Sequence, residues 1–74
     1  MPDFALYRLL RKLAREDTGF PQTAHLLTLQ AEQVALRIGA QSFDRYYGIC
    51  LADQARAIRR EYEDTHPECL EDAA

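Results

Sequence analysis

Residues 21–42 read PQTAHLLTLQAEQVALRIGAQS, and the apolar spacing across them is helical throughout. At about 100° per residue, Leu27, Ala31, Val34, Ala35 and Ile38 fall on one face. Leu29 and Leu36, seven apart, fall together on nearly the opposite side, with Leu26 to one flank. A helix apolar on two faces is either sandwiched between others or offers one face to a partner. This spacing predicts a helix over about 21–38, with a break at Gly39-Ala40-Gln41-Ser42.

Outward from this segment the periodicity stays helical. Upstream, Asp3 suits an N-cap and a helix is predicted to about Asp17. Leu6, Tyr7, Leu9, Leu10, Leu13 and Ala14 form its broad apolar arc, and Arg8, Arg11, Lys12 and Arg15 lie opposite. Gly19 can end that helix in the left-handed conformation, and Pro21 suits the first turn of the next. Downstream, Ser42 is the expected N-cap of a longer helix reaching Asp64. Phe43, Tyr47, Cys50, Leu51, Ala57, Ile58 and Tyr62 share its apolar face, against Arg45, Arg56, Arg59 and Arg60. Gly48 costs this helix about 1 kcal/mol relative to Ala, which marks it as a kink or a close helix crossing. No segment alternates as a strand does. The expected fold is all-α: one domain over 1–64, an antiparallel helical hairpin with a third helix packed across it. Residues 65–74 form an acidic tail with at most one frayed turn. The second apolar face of helix two makes a homodimer the expected state.

Seventy-four residues allow one domain and a thin core, too small to enclose a large cofactor pocket. No run approaches the roughly 18 apolar residues of a membrane span, and Met-Pro-Asp-Phe lacks the basic and apolar regions of a secretory signal. A cytoplasmic address without membrane association follows as the expectation. Cys50 and Cys69 fit a reducing compartment better than a disulfide framework. The net charge of −3 conceals an asymmetry. Residues 1–60 carry nine basic and six acidic side chains, whereas 61–74 carry six acidic and no basic ones. The tail therefore sets the acidity of the whole, which does not exclude a polyanionic partner.

Catalytic and metal chemistry find little support. His66 and Cys69 have a metal-ligand spacing, but a structural zinc needs four ligands and only His25 and Cys50 remain. Cys50 belongs to an apolar face and Cys69 lies among acids, so neither has the setting of an activated nucleophile. Glu61, Glu63 and Asp64 read as a solvated helix end, and the three glycines are too scattered for a phosphate loop. No catalytic residue, metal or cofactor is expected.

Residues 31–50, AEQVALRIGAQSFDRYYGIC, resemble the first helix and turn of a helix-turn-helix DNA-binding motif. The resemblance would place Arg45, Tyr46 and Tyr47 near the start of a recognition helix. It departs where Arg45 and Gly48 occupy positions that should be branched and apolar, and an acidic tail opposes DNA affinity. The leading expectation is a non-catalytic interaction module: a regulator, adaptor or inhibitor that occupies a surface of a larger protein. Leu29, Leu36, Tyr7 and Tyr46 are its candidate partner-binding residues, since tyrosines at the edge of an apolar arc are enriched in interfaces. Arg8, Arg11, Lys12, Arg15, Arg45, Arg56, Arg59 and Arg60 form its candidate basic surface, on which the acidic tail is free to fold. A DNA-binding regulator is the alternative.

Overall fold

A computed structural model describes residues 2–16 and 19–70. Its elements are α1 (Asp3–Glu16), α2 (Pro21–Gln41), α3 (Arg45–Thr65) and a single 3₁₀ turn, Pro67–Cys69. No strand occurs among the described residues.

Helix α2 is the centre. Its start lies beside the end of α3, where the Tyr62 hydroxyl donates to the Pro21 carbonyl at 2.9 Å. Its end lies beside the start of α1, where Arg37 donates to both Asp3 oxygens at 2.9 and 3.0 Å. Both neighbours thus run antiparallel to α2 and parallel to each other. Their backbones stay apart, with no Cα of α1 within 8 Å of a Cα of α3, while side chains of both border one groove. The molecule is a small three-helix bundle in which α3 packs along α2, and its backbone does not pack across both hairpin helices as expected from the sequence.

The buried cluster is built from Tyr7, Leu10, Ala31, Val34, Ala35, Leu51 and Ala55, with Leu6, Leu27 and Ile38 packed on it. Small side chains dominate, so backbones approach closely and large residues sit at the flanks. At the extreme, a β-carbon on Gly39 would stand 2.8 Å from the Gly48 carbonyl oxygen, and one on Gly48 would stand 2.8 Å from that of Gly39. Neither glycine has a positive φ. Gly39 is therefore a contact and not a stop, and α2 runs three residues past Ile38, ending with the Ser42 amide on the Gly39 carbonyl. Gly48 marks the close crossing that its cost to the helix implied.

Other boundaries move for equally local reasons. Asp3 is the first helical residue and not the cap; the Leu6 amide reaches back to the Pro2 carbonyl at 3.1 Å. Gly19 does not take the left-handed conformation, since no described glycine does; Asp17, where α1 was expected to end, lies outside the described residues. Asp44 caps α3, its carboxylate accepting from the Tyr47 amide at 3.1 Å, while Ser42 donates to the Asp44 carbonyl. The face of α3 that packs is Gly48, Leu51, Ala52 and Ala55, so Phe43, Tyr47, Cys50 and Ala57, expected inside, are exposed. On α1, Leu9 and Leu13 keep about two-fifths of their surface exposed, because among the described elements α2 alone packs its backbone against that helix.

Candidate interaction surfaces

Two surfaces stand out, one at the α2–α3 turn and one between α1 and α3. At the turn, Phe43 is fully exposed, Tyr46 is 79% exposed and Ile49 is 61% exposed. Asp44 fixes this arrangement, because starting the helix there turns Tyr46 and Ile49, three apart, outward together. Beside them a shallow depression of about 250 Å³ lies over the glycine crossing, lined by Leu36, Ala40, Ile49 and Ala52. Leu36 and Tyr46 thus belong to one end of the molecule. Leu29, a full two turns up α2, is half-buried and does not join them. Tyr7 leaves the list of exposed candidates altogether, being buried in the core cluster.

The second surface is a groove between α1 and α3 that reaches Pro21 and Thr28 of α2 at one end. One stretch of about 490 Å³ is bordered by Tyr7, Arg8, Arg11, Lys12 and Gln54. The next, of about 700 Å³, is bordered by Arg11, Arg15, Pro21, Ile58, Tyr62 and His66. The basic stripe of α1 therefore edges a cleft and is not simply an outward face. Arg11 is only 9% exposed. Its Nε donates to the Tyr7 hydroxyl at 3.1 Å and its guanidinium carbon stands 5.1 Å from the centre of that ring. Its Nη2 is shielded and has no hydrogen-bond partner among the described residues.

No family model, curated protein or solved structure matches this chain. The geometry alone must therefore carry the assignment.

The remaining basic candidates divide. Arg59 is committed: it donates to Glu32 and, at 2.8 Å, to Glu63, which also binds His25 Nε2 at 2.8 Å. These four side chains form one ionic chain between α2 and α3 that the sequence reading missed. The available signal was His25 and Glu32, seven apart on the face of α2 that also carries small residues, with Arg59 and Glu63 four apart on α3. The hydrogen bond from His25, followed by that from Arg59, holds the Glu63 carboxyl below its ordinary range, and Glu32 and Glu63 hold the Arg59 guanidinium above its own. Arg56 pairs with Asp53 at 2.9 Å on the surface. Among the described residues, Arg8, Lys12, Arg15, Arg45 and Arg60 are in no ion pair.

The two cysteines and His66 are also placed. Cys50 is exposed and Cys69 is buried. The Cys69 thiol points to the Pro21 carbonyl at 3.5 Å, and burial, then Glu68 and Glu63, pushes it above the ordinary thiol range. His66 stacks on Tyr62, ring centres 4.0 Å apart, and its Nδ1 lies 3.0 Å from the Tyr62 carbonyl. The 3₁₀ turn is thereby docked on the start of α2; residues 71–74 of the acidic tail lie outside the described residues. Among the described residues no helix is long and apolar enough to cross a membrane.

Proposed function

We propose that the chain is a non-catalytic interaction module that binds a larger protein by inserting the α2–α3 tip into a cleft on that partner. The observation that carries this reading is the exposure of Phe43, Tyr46 and Ile49 within seven residues at the tip. Exposed aromatic and branched side chains clustered in this way match the anchors that dominate binding energy at interfaces. Phe43, Tyr46 and Ile49 project from one short segment. Two such segments bury little area against each other, and a stable interface needs about 800 Å² on each side. A cleft in a larger partner encloses more of the segment, which favours such a partner over a second copy.

The alternative, DNA binding through α3, fits less well. Helices α2 and α3 run antiparallel from the Gly39–Gly48 crossing to the Tyr62–Pro21 hydrogen bond. A helix-turn-helix instead crosses its helices at about 90–120°. Among the described residues an enzymatic reading has His25 and Glu63 as its hydrogen-bonded acid–base pair, and these are enclosed between α2 and α3 with both Glu63 oxygens engaged. The test is the double variant Tyr46→Ser, Ile49→Ser, compared with the wild type for partner binding. Loss of the partner with an unchanged helical melt supports the tip; undiminished binding removes it. Concentration-dependent mass in sedimentation, abolished by the same variant, assigns the tip to a homodimer instead.

A further inference from the structure

The groove between α1 and α3 shares no bordering residue with the depression at the tip. We propose that this groove is a second docking site, independent of the tip, for an acidic amphipathic helix of a partner protein. Its carboxylates pair with Arg8, Arg11 and Arg15 while its apolar face seats against Ile58 and Tyr62.

Three observations lead to that occupant. The first is architectural. With α1 and α3 parallel, both packed on α2 and their backbones apart, no helix among the described residues fills the fourth corner of a bundle. From Gln54 to His66 the wall rises about 18 Å at roughly 1.5 Å per residue, the length of a three-turn helix.

The second is electrostatic. Arg8, Arg11, Lys12 and Arg15 all border the groove, and among the described residues no carboxylate borders either stretch. The cations recur at three- and four-residue spacing, the spacing at which acids line one face of an incoming helix.

The third is Arg11 itself. A guanidinium nine-tenths buried, whose only acceptor among the described residues is a neutral hydroxyl, carries a desolvation cost that a carboxylate would offset. With Nε held by Tyr7, a small swing of the guanidinium presents the Nη2 edge to a carboxylate in the groove.

The apolar wall decides against a nucleic acid. Phosphates would meet cations on the α1 side only and leave Ile58 and Tyr62 without contact, whereas an amphipathic helix satisfies both walls.

The experiment is selection of a displayed library of random 16-residue peptides on the full chain, followed by fluorescence anisotropy of the most enriched peptide. The proposal expects enriched sequences with Asp or Glu repeating at three or four residues beside apolar positions. Arg11→Met and the double variant Arg8→Gln, Arg15→Gln should each weaken that peptide at least tenfold, with Arg60→Gln and Ile49→Ser unchanged. The double variant alters exposed side chains, so it reads the groove even if Arg11→Met unfolds the chain. Enriched peptides without acidic periodicity, or affinities unmoved by the groove variants, overturn the proposal. So does a 20-base-pair DNA duplex that binds more tightly than the peptide and displaces it. Loss of peptide binding in Ile49→Ser alone assigns the peptide to the tip and rejects the groove while leaving the tip reading intact.

Discussion

Gly39 and Gly48 meet backbone to backbone, so close that a β-carbon on either would stand 2.8 Å from the other's carbonyl oxygen. No side chain can move aside to relieve that clash; the helices themselves must separate. Overpacking of this kind costs about 1–3 kcal/mol, opposed by about 1 kcal/mol gained from better helix propensity. Gly48→Ala, and separately Gly39→Ala, should therefore lose up to about 2 kcal/mol in urea denaturation. The double variant should lose less than the sum, because one separation accommodates both methyl groups.

The Glu32–Arg59 pair gives a second test. Both side chains are largely buried, and Glu32 has no other ion-pair partner among the described residues. Arg59→Met leaves that carboxylate uncompensated and should cost about 2–4 kcal/mol. Glu32→Leu combined with Arg59→Met removes both charges and should be more stable than Arg59→Met alone. Equal stability of Arg59→Met and the double variant would show that the lone Glu32 carboxylate carries no burial cost.

Acid should weaken the fold through Glu63. Its folded-state pKa lies below the ordinary value near 4.5, chiefly through His25 and then Arg59. A lowered carboxylate pKa contributes stability that is full above the unfolded value and is lost as pH falls through the folded one. Stability should therefore decline on acidification from about pH 5 downward. Glu63→Gln should be less stable at pH 6 and show a shallower decline below it, measured by denaturation midpoints across the range. A parallel decline in both proteins would assign the acid sensitivity elsewhere.

The thiols should separate cleanly. Cys50 is exposed, whereas Cys69 is buried with its pKa raised. A thiol reagent at neutral pH should modify Cys50 rapidly and Cys69 at least tenfold more slowly, the second rate rising when denaturant is added. Equal rates in the native protein would mean that the 3₁₀ turn does not shelter Cys69.

Much of the architecture is legible in periodicity, because helix existence depends on where apolar residues recur. Leu27, Ala31, Val34, Ala35 and Ile38 are read correctly as the α2 side that packs. The face of α3 is not, because large residues were weighted over small ones. Phe43, Tyr47 and Cys50 form as good an apolar stripe as Gly48, Ala52 and Ala55, and only tertiary packing shows that close approach is made by the small set. The α3 cap shifts from Ser42 to Asp44 for a related reason: both are good capping residues, and the local hydrogen bonds with Tyr47 choose between them. Of the candidate surfaces, Tyr46 and Leu36 are visible in the sequence, while the groove is not. It exists because the backbones of α1 and α3 stay apart, a relationship that no one-dimensional pattern encodes.

The tip reading is best tried by quantitative capture. Wild-type chain and the Tyr46→Ser, Ile49→Ser variant, both with intact melts, would be used as bait in nuclease-treated lysate of the source organism, with retained proteins quantified by mass spectrometry. The account predicts one larger protein held at near-equal stoichiometry by the wild type and lost from the variant. Identical retention by both baits, or recovery that disappears once nuclease is added, would contradict it.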